Sequence, residues 1–260
     1  MAKVSVVALD AVPIDDRAAF GQIETRAIFN REKDPIHLHS HRLKLGDVLH
    51  IAGATDCVVF IWQGDVRVGE RPLAAGSSVI VEHGSAIDIT GSAESSLLLT
   101  FAARQRASNA KRGGHVHLLP NENVPRFEAA VETAASVGGG LHADSSCPTC
   151  SVWLHENKFP PPLADAPAVK PGVGIHSHTE DEIIFVTAGA IRLGARLHGP
   201  GTAVAIAANT LYSFTPGPNG LSFINFRADA PDDIHFQNGS TMDEVGYWRG
   251  RLGTPQYLTS

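Results

Sequence analysis

The chain has 260 residues, of which 43% are hydrophobic and 18% are charged, a composition typical of a globular protein with ample core. A net charge of -6 and a pI near 6.1 argue against nucleic acid or an anionic membrane as a partner. No apolar run approaches a membrane span, and the first apolar run is too short for a signal peptide. The sequence therefore predicts a cytoplasmic protein that binds a small molecule.

Short apolar runs broken by Pro, Gly and Asp predict strands throughout residues 1–55. Within them, His37, His39 and His41 alternate, so their side chains would share one face of a strand. No carboxylate or glycine follows at the spacing of a metal motif. These histidines are therefore interpreted as polar side chains on an exposed strand or loop.

From Asp56 onward the sequence repeats with an offset of 125 residues and no gap. The matched pairs include Asp56 with Asp181, Phe60 with Phe185, Gly64 with Gly189, Gly76 with Gly201 and Phe101 with Phe226. Recurring glycines predict hairpin turns, where a left-handed backbone is easy only without a Cβ. Short strands between such turns predict an all-β protein with two similar sandwiches or barrels.

A linker helix is predicted between the two copies, over residues 121–140. Its apolar residues follow a helical period, and Gly138, Gly139 and Gly140 would end it. The predicted domains are 1–120, the linker 121–140, a second barrel 141–240 and a tail 241–260. In the second barrel, Trp153 and His155 share a strand face that could line the interior or could equally face solvent.

Three cysteines are too few for a disulfide framework. Cys57 lies in an apolar run and is interpreted as a core residue. Cys147 and Cys150 form a lone C-x-x-C pair, without the four ligands of a structural zinc site or the helix start of a redox pair nearby in the sequence. Unpaired thiols in a loop are the favoured interpretation, and a disulfide or a metal remains open.

The chemistry of the chain is concentrated in the pattern His-x-His-x3-Glu-x6-Gly, which begins at His176. His176 and His178 would project from one face of a strand, and Glu182 follows closely enough for a tight turn to fold it beside them. Two imidazoles and a carboxylate are suitable ligands for a first-row transition metal. The apolar run 183–186 then predicts a buried strand that ends in a turn at Gly189.

This pattern resembles the first motif of the cupin family, and the whole repeat resembles a bicupin, with two tandem jelly-roll barrels (double-stranded β-helices). In the first copy the three ligand positions hold Ile51, Gly53 and Cys57. The resemblance therefore implies one divalent transition metal per chain, Fe, Mn, Ni or Zn, bound in the second copy only.

The family's second motif, Gly-x5-Pro-x-Gly-x2-His, begins at Gly201 but holds Ala207, Asn209 and Tyr212 at its Pro, second Gly and His positions. Asn209 tolerates the left-handed conformation that glycine would supply. Three outcomes stay open for Tyr212. It could bind the metal as a phenolate, it could act as a hydrogen-bond donor or catalytic acid/base beside a two-His-one-Glu site, or the site could have lost its metal.

The resemblance implies a metal-dependent enzyme that acts on a small oxygen-bearing organic substrate, with dioxygenase-like chemistry. Cupin isomerases and lyases share the scaffold, so the fold does not fix the reaction. The rival class is a non-enzymatic small-molecule binding or sensor protein. Apolar strand edges that need covering also predict a homodimer.

Overall fold

The computed structural model describes residues 3–15, 23–105, 111–128, 138–161 and 174–259. The described chain is almost entirely antiparallel β-sheet, with one α-helix near its end. The prediction of an all-β protein is confirmed. No helix among these residues is long and apolar enough to cross a membrane.

Two compact units make up the chain, and each takes one short segment from the opposite end of the sequence. The C-terminal unit comprises Met1–Leu9, Pro125–Asp144 and Trp153–Thr254. The N-terminal unit comprises Asp10–Val124, Ser145–Val152 and Pro255–Ser260. The sequence-based boundaries put Ser145–Val152 with the second copy, whereas its contacts group it with the first.

The N-terminal unit contains two antiparallel sheets. Its strands are β2 Glu24–Phe29, β3 Ile36–Leu43, β4 Val48–Ala52, β5 Cys57–Gln63, β6 Asp65–Val68, β7 Arg71–Ala74, β8 Ser78–Val81, β9 Ala86–Gly91, β10 Ser96–Ala103, β11 Val116–Leu119 and β22 Leu258–Thr259. The larger sheet has the order β2-β3-β10-β5-β8-β11-β22, and the smaller has the order β4-β9-β6-β7. Leu49, Val66 and Ile89 from the smaller sheet and Val59 and Leu98 from the larger belong to one buried core.

The C-terminal unit also contains two antiparallel sheets. Its elements are β1 Val4–Ala8, β12 Arg126–Phe127, β13 Gly138–Asp144, β14 Trp153–Phe159, β15 His176–Ser177, β16 Glu182–Leu193, β17 Arg196–His198, β18 Thr202–Ile206, β19 Thr215–Arg227, β20 Ile234–Phe236, β21 Thr241–Met242 and helix α1 Glu244–Arg249. The larger sheet has the order β1-β18-β16-β19-β14-β13-β12, with β17 paired to β16. The smaller sheet has the order β15-β20-β21.

The sequence repeat corresponds to a repeat in structure. Strands β10-β5-β8 of one unit and β19-β16-β18 of the other pair in the same order, at the offset of 125 residues. Gly64 and Gly189 both have a positive φ, of 74° and 65°. A Cβ at Gly189 would lie 2.2 Å from the carbonyl oxygen of Gly220, so a side chain is excluded there.

The prediction of a linker helix over 121–140 is wrong for the residues that the structure describes. Asn121–Asn123 form a single 3-10 turn, and β12 follows it. The three glycines begin β13. A Cβ on Gly139 would lie 1.9 Å from the carbonyl oxygen of Glu156, so close pairing of β13 with β14 requires glycine. Residues 129–137 lie outside the described part of the chain.

The interpretation of the first histidine cluster as exposed is also wrong. His41 on β3 is fully buried, while His37 and His39 are partly buried. The Nδ1 atom of His41 lies 2.9 Å from the hydroxyl of Thr25, and its Nε2 atom lies 3.0 Å from the hydroxyl of Thr100. These two partners satisfy the buried imidazole, so His41 is a core residue with satisfied hydrogen bonds.

We predict that His41 makes the N-terminal unit sensitive to acid. Burial, together with the charge of His39, lowers the pKa of His41 to about 3 in the folded state. Between pH 6.5, the ordinary pKa of histidine, and about pH 3, the side chain of His41 is protonated in the unfolded chain but neutral in the folded chain. The free energy of unfolding should therefore fall as the pH drops through this window, by up to about 1.4 kcal/mol per pH unit.

Urea unfolding at pH 7 and pH 5 tests this for the wild type and His41→Gln, which keeps an amide donor and acceptor but does not titrate. The variant should lose less stability between the two pH values. His50→Gln is the control, since His50 lies on an exposed strand face beside Asp88. An identical pH dependence in His41→Gln and the wild type would contradict the prediction.

The expected left-handed backbone at Asn209 is confirmed, since its φ is +57°. Its backbone N–H donates a hydrogen bond to the carbonyl oxygen of His178, over 2.7 Å, and so connects this turn to the histidine pair. A left-handed conformation costs an ordinary L-residue about 1–2 kcal/mol, with Asn and Gly as the exceptions.

We therefore expect Asn209→Gly to retain wild-type stability and Asn209→Val to lose about 1–2 kcal/mol of unfolding free energy. Ala207→Val is the matched control, because Ala207 is exposed two residues earlier and lacks a positive φ. Chemical unfolding measures all three. A valine at 209 that leaves stability unchanged would show that the turn is not under this constraint.

Candidate functional site

A cavity of about 250 Å³ lies within the C-terminal unit. Most of its walls are aromatic or aliphatic side chains, including Phe159, Phe214 and Phe223 from the same core cluster. Its charged, amide and imidazole lining residues are His155, Asn157, His176, His178, Asn225, Arg227 and Glu244. A small apolar cavity with a few grouped polar side chains is the usual form of a ligand site.

The predicted site residues come from three neighbouring pieces of backbone. His176 begins strand β15, His178 lies in the following turn, and Glu182 is the first residue of β16. Tyr212 forms an isolated β-bridge with His176, with N–O distances of 3.0 and 2.9 Å in the two directions. This bridge, and not the strand β18 that follows Gly201, brings the tyrosine to the histidines.

All four predicted residues meet in one place. The rings of His176 and His178 lie 5.1 Å apart, and those of His176 and Tyr212 lie 4.4 Å apart. His178 Nε2 is 3.8 Å from Glu182 Oε1, and the rings of His178 and Tyr212 lie 6.3 Å apart. His176, His178 and Glu182 are 3%, 5% and 1% exposed, so the group is shielded from solvent.

Both histidines are neutral imidazoles at neutral pH. Burial is the main cause that lowers the pKa of each, to about 3 for His178, where Arg227 adds to the effect and Glu182 opposes it. The carbonyl oxygen of Gly174 lies 2.7 Å from His176 Nδ1, which places the proton on that nitrogen. The Nε2 lone pair of His176 is thus available, as a metal ligand requires.

Glu182 is ionised. Burial alone would raise its pKa, but His178, Arg227 and hydrogen bonds from Tyr212 and Asn225 lower it overall. Asn225 Nδ2 donates to Glu182 Oε2 over 2.6 Å, whereas Oε1 is buried and accepts no hydrogen bond from the described residues. A buried carboxylate oxygen with no donor, beside a neutral imidazole, fits a site for a cation.

Arg227 and Glu244 belong to the same site, although neither was predicted from the sequence. Arg227 is 1% exposed, and its Nη2 lies 3.4 Å from Glu182 Oε2 and 3.3 Å from His178 Nε2. Its Nη1 donates to Glu244 Oε2 over 2.5 Å, and Glu244 is held by the first turn of α1. A metal at His178 Nε2 would thus require the guanidinium to withdraw from that nitrogen.

Trp153 and His155 face the interior, as expected for a strand face that lines the barrel. Trp153 Nε1 donates to His155 Nδ1 over 2.7 Å, and both side chains are buried. Trp248 from α1 packs on the same face, 4.6 Å from the His155 ring centre, in a cluster that also includes Leu141. The C-terminal tail thus completes the wall of the cavity.

No protein-family model matches the sequence, and no curated protein matches it. Solved structures match in fold. YlbA from E. coli has a TM-score of 0.66 at 11% identity, over 88% of this chain and 92% of that one. Bacillus subtilis oxalate decarboxylase, described with Mn(II) centres, has a TM-score of 0.62 at 12% identity, over 90% of this chain and 79% of that one. A candidate dioxygenase from Nostoc punctiforme has a TM-score of 0.62 at 11% identity, over 88% and 83%. Together with its antiparallel sheets, these likenesses give the chain the cupin jelly-roll fold.

Proposed function

We propose that the protein is a metal-dependent cupin-type enzyme that acts on a small, oxygen-bearing organic molecule, and that its active site lies in the C-terminal unit. His176, His178 and Glu182 would hold one divalent metal, Fe, Mn, Ni or Zn. The convergence of two neutral imidazoles with a carboxylate oxygen that accepts no hydrogen bond supports this assignment. A divalent metal there would supply Lewis-acid polarisation of a substrate oxygen and open coordination positions.

The surrounding residues hold the ligands in place and keep water away. Asn225 and Arg227 both contact Glu182 Oε2, so the carboxylate is oriented with Oε1 toward His178. Burial and the negative charge of Glu182 raise the pKa of Tyr212 well above 10, so its hydroxyl keeps its proton. Tyr212 is accordingly the residue on this wall that could hold or deliver a proton.

The cavity also indicates the kind of substrate. Its volume of about 250 Å³ and aromatic walls suit a small organic molecule with an apolar body. We favour dioxygenase-like chemistry on an enol, phenol or diketone, with isomerase or lyase chemistry as the alternative within the fold. A homodimer and a cytoplasmic location stay predictions.

A second candidate function is metal-free or metal-anchored binding without turnover. Arg227 lies 3.3 Å from His178 Nε2 and has acidic partners on both sides. These charged side chains could bind the polar group of a ligand in a binding or sensor site that holds no catalytic metal. The two functions differ in metal-dependent turnover, which only the enzyme would show.

We predict that the double variant His176→Ala with His178→Ala loses one equivalent of bound metal relative to the wild type. The imidazoles supply two of the three proposed ligands, so their removal should abolish binding at this site. The control is His37→Ala with His39→Ala, which removes a histidine pair of the same spacing from the N-terminal unit. Elemental analysis after metal loading gives the metal content, and oxygen uptake with a panel of enols, phenols and diketones gives the turnover.

The control should match the wild type in both measurements. If the double variant at 176 and 178 keeps all of its metal, the ligand assignment is wrong. Full metal loading of the wild type without turnover on any panel member would favour the binding protein.

Tyr212→Phe tests the role of the phenol. It removes the hydroxyl without changing the size of the ring, so folding should be almost unaffected. We expect metal binding or turnover to weaken tenfold or more, about 1.4 kcal/mol. Tyr247→Phe, which removes another hydroxyl from the cavity lining, is the control. Equal metal affinity and equal activity in Tyr212→Phe and the wild type would show that Tyr212 only lines the cavity.

A further inference from the structure

A second cluster of potential metal ligands lies within the N-terminal unit. Glu82 follows β8, His117 lies on β11, and Cys147 and Cys150 lie in the segment Ser145–Val152. One ligand atom from each of the four residues lies within 4.8 Å of the other three. Residues up to 68 positions apart in the sequence thus meet in one small volume.

The distances are close to those of a tetrahedral site. Cys147 Sγ lies 3.6 Å from His117 Nε2 and 3.3 Å from Glu82 Oε1. His117 Nε2 lies 2.7 Å from Glu82 Oε1. Ligands at ordinary zinc bond lengths of about 2.0–2.3 Å, arranged as a tetrahedron, lie about 3.3–3.8 Å from each other. The two distances from Cys147 fall in this range, whereas His117 Nε2 and Glu82 Oε1 would have to separate by about 0.6 Å to admit the ion.

The cluster is buried and strongly polar. Glu82 is 0% exposed, Cys147 6% and Cys150 1%. Glu82 Oε2 accepts from the backbone N–H of His115 over 2.9 Å, which directs Oε1 at the thiols and at His117. A carboxylate so deeply buried requires a strong compensating partner. Among the described residues, Glu82 forms an ion pair with His117 alone.

The loop that holds the two thiols is itself anchored. Lys111 Nζ donates to the carbonyl oxygens of Ser145 and Cys147, over 2.9 and 2.6 Å. The backbone N–H of Gly113 donates to the carbonyl oxygen of Thr149 over 2.9 Å, and the Thr149 hydroxyl donates to Glu82 Oε1. These contacts fix the C-x-x-C turn against β8 and β11, as supporting contacts do around metal ligands.

We propose that Glu82, His117, Cys147 and Cys150 bind one structural zinc ion. Two thiolates, an imidazole and a carboxylate form a four-ligand set that suits Zn²⁺, and a buried site with four protein ligands leaves no position for a substrate. The ion would connect β8, β11 and the Ser145–Val152 segment within one unit. This site is independent of the function proposed for the C-terminal unit, because it shares no residue with it.

This proposal revises the interpretation of Cys147 and Cys150 as unpaired loop thiols. The main rival is a disulfide between them, since a C-x-x-C pair can also be a redox site. The two differ in composition: the zinc site needs both thiolates and the metal, and the disulfide needs neither a metal nor His117.

The test uses the full chain, reduced and stripped of metal, titrated with Zn²⁺ and with Co²⁺. Apart from any metal bound by His176, His178 and Glu182, we expect one tightly bound equivalent in the N-terminal unit. Its binding should weaken about a hundredfold or more in Cys147→Ser with Cys150→Ser, and in His117→Ala. His115→Ala and Cys57→Ala are matched controls and should bind as the wild type does, because neither side chain is in the cluster. His176→Ala with His178→Ala should also retain this equivalent, which separates the two sites.

Cobalt gives a readout that a two-His-one-Glu site cannot imitate. The wild type should show an intense near-ultraviolet thiolate-to-cobalt charge-transfer band and the visible bands of tetrahedral coordination. Zn²⁺ should also protect Cys147 and Cys150 from alkylation and raise the melting temperature of the stripped protein. These wild-type measurements decide the question even if a cysteine variant fails to fold. Absence of the cobalt band with no protection of either thiol, or a Cys147–Cys150 disulfide that persists in the purified protein without zinc, would overturn the proposal.

Discussion

The candidate site depends on the antiparallel pairing of β16 with β19. This ladder places Glu182 opposite Arg227 and Ile184 opposite Asn225. Since side chains alternate across a sheet, the carboxylate, amide and guanidinium all reach the same interior. A one-residue slip would send each of them to the other face, so the glycine turns and bulges that fix the register also fix the chemistry.

Buried charge is the main energetic constraint on this interior. Arg227 is placed between the carboxylates of Glu182 and Glu244, and isolated ions at such depth would cost several kcal/mol each. The arrangement keeps Glu182 ionised while both neighbouring histidines stay neutral. The metal proposed for this site would require Arg227 to withdraw from His178 Nε2.

The two units show how one fold carries different sites. Gly53 occupies the position that corresponds to His178, and a Cβ there would lie 2.3 Å from the carbonyl oxygen of Glu82. The backbone of the N-terminal unit thus excludes a histidine at that position. The site proposed for the N-terminal unit instead uses the side chain of Glu82, together with His117, Cys147 and Cys150. The scaffold is shared, but the ligands are set by local side chains.

The sequence alone determined the features that depend on local pattern. Alternating apolar residues and recurrent glycines predicted an all-β repeat, and the repeat carried the register from one copy to the other. The motif around His176, His178 and Glu182 lies within seven consecutive residues, so its ligand pattern could be recognised in a local window. Asn209 was likewise predictable, because its backbone conformation is a property of the single residue.

Only the tertiary structure decided the features that depend on distant pairing. Arg227 and Glu244 join the site because β19 and α1 pass beside β16, and nothing in their neighbouring residues marks them as buried ions. The glycines of β13 were assigned to a helix end because the close approach of β14 is not visible in a local window.

Cys147 and Cys150 appeared as unpaired thiols for the same reason. Their partners Glu82 and His117 lie 30 to 68 residues away, and only the folding of the Ser145–Val152 segment into the N-terminal unit brings them within 4.8 Å. The meeting of these four side chains depends on contacts across long separations, which no local sequence pattern records.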